Sequence, residues 1–188
     1  MSPRERLHAA LVAYGGPAEL THGINEEPDP ADRPAAGASH PLAPEHARQF
    51  LIGGRAIFTL QGQTGQRYTF RISKGEEQTS GPYAGRPAAY FVSLLTGPDN
   101  TSEYTYVGLL DVATGAVRLT AKSKYKADSM PVRVLGWFLP RIWSGRSVEP
   151  GQVFHCGRCA RCGRLLTVPS SIVSGYGPEC SARMAAGE

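Results

Sequence analysis

Cysteine is missing from the first 155 residues of this 188-residue chain; all four, Cys156, Cys159, Cys162 and Cys180, fall in the last 33. A disulfide framework would spread its bridges over the chain, whereas thiols gathered at two-residue gaps read as metal ligands. Long apolar runs are missing too. No stretch approaches the roughly 18 residues that a membrane span needs. The opening MSPRERLHAALVAYGG lacks the apolar core and small-residue cleavage site of a secretory signal. These absences predict a cytoplasmic protein without a membrane partner. The phosphate loop GxxxxGK[ST], the dinucleotide fingerprint GxGxxG, the metalloprotease HExxH and the nucleophile elbow GxSxG are all absent, so no enzyme is expected.

Charge is scarce in one sign at a time. Residues 1–50 hold four Arg, no Lys and seven acids, a net of −3; the rest holds sixteen basic and nine acidic side chains, a net of +7. The overall +4 therefore combines an acidic leader with a basic body. A body of that sign favours polyanions.

Residues 4–13 place Leu7, Ala10 and Leu11 on one helical face before Gly15, Gly16 and Pro17, which predicts a short N-terminal helix within residues 1–22. Residues 23–49 are rich in Pro, Ala and acids, with too few large apolar side chains to offset the entropy of ordering. A disordered linker is expected there. From Phe50 the pattern turns to β. The runs 55–61 and 67–73 flank a Gly-containing turn, and 89–96, 104–112 and 116–120 follow with breakers between them. A helix follows, capped by Asp128 or Ser129, with Pro131 in its first turn and Pro140 ending or kinking it near Leu139. Val134, Trp137, Phe138 and Ile142 would cover the sheet. The reading is an α+β body over 50–146, a small antiparallel sheet covered by a helix, linked to a cysteine module over 152–188.

Zinc takes four ligands in a tetrahedron, and a two-residue gap lets one tight turn present two thiolates to one ion. Cys159 and Cys162 (CARC) supply that turn, with Gly163 just after it. Cys180 supplies a third ligand, with Gly175, Gly177 and Pro178 allowing chain reversal before a short helix from residue 180. The fourth ligand is His155 or Cys156. Two overlapping CxxC turns cannot both form in one relaxed knuckle, which favours His155. An iron–sulfur cluster is the rival, but no Pro follows a cysteine and arginines fill the gaps. A filled tetrahedron with Glu179 as the only nearby carboxylate predicts one structural Zn(II) in a zinc-knuckle, treble-clef-like module.

The run RCARCGRLLTVPSSIVSGYGPEC resembles a zinc-binding family of unknown function common in actinobacteriophage and actinobacterial proteins. The match includes Thr167, Pro169, Ser171, Ile172, Gly175, Gly177 and Pro178. The segments TGQRYTFRI and YFVSLLTGPDNTSEYTYVG are similar to what often precedes that module. The resemblance implies a shared architecture over about residues 50 to 180, His155 as the fourth ligand, and a phage-encoded protein acting in a bacterial host cytoplasm. It implies no activity.

Arg158, Arg161 and Arg164 recur every three residues through the knuckle. Lys122, Lys124 and Lys126 lie in a stretch from Arg118 to Arg146 whose only acid is Asp128, with Tyr125, Trp137 and Trp143 interleaved. Cations for phosphates and aromatics for bases are the ingredients of a DNA or RNA surface. Each has a plainer reading: a solvated lysine loop, and tryptophans in the core. The residues Asp99, Asn100, Thr101, Ser102 and Glu103 read as a turn, and His8, His22, His40 and His46 are too dispersed for a site. The two expected classes are a zinc-containing nucleic-acid-binding or accessory protein and a module that engages a host or phage protein.

Overall fold

The computed structural model describes residues 40–77, 79–80 and 84–186, all within one compact unit spanning Ala35–Glu188. The expected helix within 1–22 and residues 23–39 of the expected linker lie outside the described residues.

Four of the expected strands form close to their predicted bounds. Strands β2 (Arg55–Gln61), β3 (Arg67–Lys74), β4 (Tyr90–Leu95) and β5 (Tyr104–Leu110) pair as an antiparallel meander. Their register follows from alternation. Phe58 faces Phe70 and Phe70 faces Leu94, and all three are buried. Slipping one residue would turn these side chains to the other face. On that other face the Thr59 and Thr69 hydroxyls share a hydrogen bond of 2.8 Å. A bulge between Val92 and Ser93 shifts the β4–β5 register. The fifth strand is shorter than the run 116–120: β6 covers only Val117–Arg118.

The sheet has seven strands rather than five, in the order β1-β7-β2-β3-β4-β5-β6. Strand β7 (Gln152–His155) lies between β2 and the two-residue β1 (His40–Pro41). Two expectations change. Residues 40–49 are not linker, since they form β1 and most of helix α1 (Pro44–Leu51). The boundary between body and cysteine module also falls inside the sheet, because the module's first strand is paired with β2 along its whole length.

Helix α1 buries Ala47, Phe50 and Leu51. Helix α2 (Met130–Trp143) buries Leu135, Phe138 and Leu139. These join Phe58, Leu60, Phe70, Ile72, Val92 and Val107 of the sheet in one core. Each large side chain there contributes about 1.5–3 kcal/mol by leaving water. Ser129 occupies the N-cap of α2, but its hydroxyl donates to the Lys126 carbonyl at 2.7 Å instead of capping the helix. The helix runs past Pro140 to Trp143. Pro140 cannot donate to the turn before it, yet hydrogen bonding resumes at once, with Ser144 N–H donating to the Pro140 carbonyl at 3.0 Å. Trp143 then folds over the β5–β6 turn, its Nε1 donating to the Val112 carbonyl at 2.8 Å. Gly115, at φ +75°, leaves no room there for a side chain beside the indole.

Candidate metal centre

Beyond β7 the chain makes a tight knuckle. Arg158 and Leu165 pair as an antiparallel bridge, Cys159 N–H donates to the Arg164 carbonyl at 2.8 Å, and Gly163 N–H returns to the Cys159 carbonyl at 2.9 Å. Gly163 sits at φ +78°, a left-handed conformation that glycine adopts without steric cost. The reversal places Cys159 and Cys162 on one side. Helix α3 (Pro169–Ser174) follows, ended by Gly175 at φ +76°, and helix α4 (Pro178–Ala185) then carries Cys180 in its first turn. A knuckle and a helix N-terminal turn thus supply the two halves of a treble-clef-like site.

The sulfurs of Cys159, Cys162 and Cys180 all lie within 4.8 Å of one another, close enough to ligate one ion. Cys159 is buried, Cys180 half-buried and Cys162 exposed. Burial pushes the Cys159 thiol up. The backbone N–H groups of Cys162, Gly177 and Arg161, with the Cys162 side chain, outweigh it and hold the thiol below its ordinary value. Amides aimed at a sulfur favour the thiolate, which is the form that binds metal. Cys180 is pushed up to about 11, first by burial and then by its hydrogen bonds and repulsion with Cys162 and Cys159. Three thiols packed this closely resist losing three protons unless a cation takes their place.

His155 and Cys156 are not members of this cluster. His155 ends β7 opposite Phe58 and His40, fully buried, with its ring 5.3 Å from that of Phe50 and 5.4 Å from that of His40. Its Nδ1 accepts from Gly157 N–H at 3.3 Å, while Nε2 is buried without a hydrogen-bond partner. Burial, then the neighbouring His40, lowers its pKa to about 4, with the Ile172 carbonyl opposing. The expected fourth ligand is placed as a core side chain because strand pairing with β2 fixes which way it points. Cys156 is half-buried, and burial raises its thiol pKa. A cavity of about 190 Å³ beside the three thiols is lined by Arg164, Thr167, Ser171 and Glu179 among others. Glu179 is the one carboxylate in that lining.

The expected nucleic-acid residues lie on two segments that are well separated in the strand order. Lys122, Lys124 and Lys126 follow β6, and Lys124 N–H donates to the Tyr106 carbonyl of β5 at 3.3 Å. The knuckle follows β7, five strand spacings away or about 24 Å along the sheet. Arg158 folds onto its own knuckle, donating to the Gly163 carbonyl at 3.1 Å, and Arg164 is exposed beside the thiols. Arg161 is half-buried, its Nη1 out of solvent without a partner. The aromatic residues are engaged elsewhere: Arg141 lies over the Trp137 ring at 4.0 Å, and Trp143 holds the β5–β6 turn. Sequence reasoning missed Arg55 and Lys74, which the sheet brings next to Arg161. Their only signal was that strands β2 to β7 contain no acid. Among the described residues no helix is long and apolar enough to cross a membrane.

No curated protein and no solved structure matches the chain. Residues 152–185, from the first residue of β7 to the last of α4, match the profile of a family of unknown function, DUF6011. The match holds the three clustered cysteines and stops short of the rest of the sheet, so it is the cysteine-bearing end of the chain that is similar to DUF6011.

Proposed function

We propose that the chain is a small phage-type protein that binds nucleic acid, with one structural zinc ion held by Cys159, Cys162 and Cys180. The observation that carries the metal reading is the convergence of three sulfurs within 4.8 Å from a tight turn and a helix. Three thiolates with amide N–H support suit zinc, which prefers sulfur and a tetrahedron. When bound, the ion would tie α4 to the knuckle, and the chain's own residues would do the rest. Nucleic-acid binding is supported by the net of +7 beyond residue 50 and by a sheet whose strands β2 to β7 carry Arg and Lys but no Asp or Glu. Cations without interspersed acids attract a phosphate backbone, and the affinity then falls steeply with salt.

Metal analysis of protein purified without chelator is expected to give one zinc per chain; iron, or no metal, would overturn the zinc assignment. Gel shifts on single- and double-stranded DNA and RNA at low and high salt test the second part. No shift at low salt would reject nucleic-acid binding. It would favour a protein partner, a reading to which the exposed Leu165, Val168 and Val173 of the cysteine module lend support.

A further inference from the structure

Arg55 opens β2, Lys74 closes β3, and Tyr90 opens β4 as the register partner of Lys74. These three strand ends lie together at one end of the sheet. The knuckle is joined to the same end: Arg55 N–H donates to the Ala160 carbonyl at 2.6 Å, so Arg55 and Arg161, the residue after Ala160, are brought alongside. Tyr176 and Gln49 close the far wall, the tyrosine hydroxyl donating to the Gln49 carbonyl. The result is a cavity of about 570 Å³ with three cationic side chains, Arg55, Lys74 and Arg161, in its lining and no carboxylate. Lys74 has one anionic neighbour, Glu77, at 3.4 Å on the exposed side. Arg161 has none among the described residues, and its Nη1 is buried without any hydrogen-bond partner.

Three cations in the lining of one cavity without a carboxylate repel one another. One species offsets that repulsion: a compact anion with several acceptor oxygens, which a guanidinium meets with paired N–H donors. We propose that this cavity binds a phosphate group, as inorganic phosphate, as a nucleotide, or as the phosphorylated end of a strand. Its volume lies in the range of small-molecule sites and leaves space beside Tyr90 for what the phosphate carries. The site uses neither the lysine loop nor the metal's coordination sphere, and it stands whether or not the chain binds nucleic acid.

Calorimetric titration of the metal-replete protein tests it, using inorganic phosphate, a nucleoside 5′-monophosphate, and a short single strand with either a 5′-phosphate or a 5′-hydroxyl. Saturable one-to-one binding of phosphate-bearing probes is expected, weakened about fivefold or more in Arg55→Gln and in Lys74→Gln, both with unchanged metal content and thermal midpoint. Arg161→Gln is expected to weaken it further, but that residue lies between two metal ligands, so the two strand-end variants decide. Tightest binding of the mononucleotide or free phosphate assigns the cavity to a soluble ligand. Tightest binding of the phosphorylated strand assigns it to a strand end. No saturable binding of any phosphate-bearing probe at millimolar concentration, or binding unchanged in Arg55→Gln and Lys74→Gln, overturns the proposal. A failed gel shift alongside intact phosphate binding would reject only nucleic-acid binding.

Discussion

The hydroxyl of Tyr176 donates to the backbone carbonyl of Gln49 at 2.5 Å, across 127 residues of sequence. That bond, with Gly53 pressed so close that a side chain there would meet both Tyr176 and Ala160, fixes the cysteine module against α1. Burial, then the charges of Cys159 and Tyr90, raises the Tyr176 pKa, so the hydroxyl keeps its proton and remains a donor. Replacing Tyr176 by Phe leaves a carbonyl without its donor, at a cost of about 1 to 3 kcal/mol. Denaturant melts are expected to show a lower midpoint with an unchanged slope.

The three-sulfur cluster makes a sharp distinction among the four cysteines. Cys159→Ser, Cys162→Ser and Cys180→Ser are each expected to lose metal, while Cys156→Ser retains it. His155→Gln is expected to retain it too, because the ring is held in the core by Phe50 and His40. Metal content against total protein, measured for all five variants, checks this; loss of metal in His155→Gln would return the histidine to the ligand set. Chelation of the wild type is expected to lower its thermal midpoint, with each 1 kcal/mol worth about 2–4 °C in a domain of this size.

His155 also gives the fold a pH dependence whose sign is fixed. Its ordinary value is about 6.5 and the folded value is about 4. Between those values the unfolded chain binds a proton that the folded chain excludes. The stabilisation is complete above about pH 6.5 and declines as the pH falls towards 4. Thermal melts across that window are expected to show a shallower decline in His155→Gln than in the wild type.

The lysine loop follows β6 and the knuckle follows β7, so the two sets of cations can be varied independently. If the strand of a nucleic acid crosses β5, replacing Lys122, Lys124 and Lys126 by Gln is expected to reduce the slope of log affinity against log salt by about 2 to 3. Arg158→Gln, which removes one exposed cation, is expected to reduce that slope by about 1 at most. Binding isotherms at several salt concentrations for both variants make the comparison.

The meander was legible because Phe58 and Leu60, and again Phe70 and Ile72, alternate with polar Thr59, Gln61, Arg71 and Ser73 between turn signals. The knuckle was legible because thiol spacing constrains backbone geometry whatever surrounds it. What escaped was short or lay in misleading company. Strand β1 is two residues and β7 is four, too few for a period; β7 is made a strand by the edge of β2, and β1 by the edge of β7, rather than by propensity. Helix α1 sits in a Pro- and Ala-rich stretch that reads as linker, although Pro44 at its start and Glu45 in its first turn are ordinary helix-opening residues. That His155 stands outside the three-sulfur cluster has a related reason: spacing from Cys159 suits a ligand, but spacing carries no information about the strand that aims the ring inward. The pocket of Arg55, Lys74 and Arg161 joins residues from two strand ends and a turn, a proximity that only the folded topology creates.

The position of β7 has a bearing on how the chain is made. Strand β2 is translated about 90 residues before Gln152–His155, the segment that pairs with its outer edge. Until those residues leave the ribosome, β2 presents a row of unpaired amides and carbonyls flanked by Phe58 and Leu60, an invitation to other nascent chains. Pairing that waits on so distant a partner is slow. The module that gathers the thiols is therefore also the closing segment of the sheet.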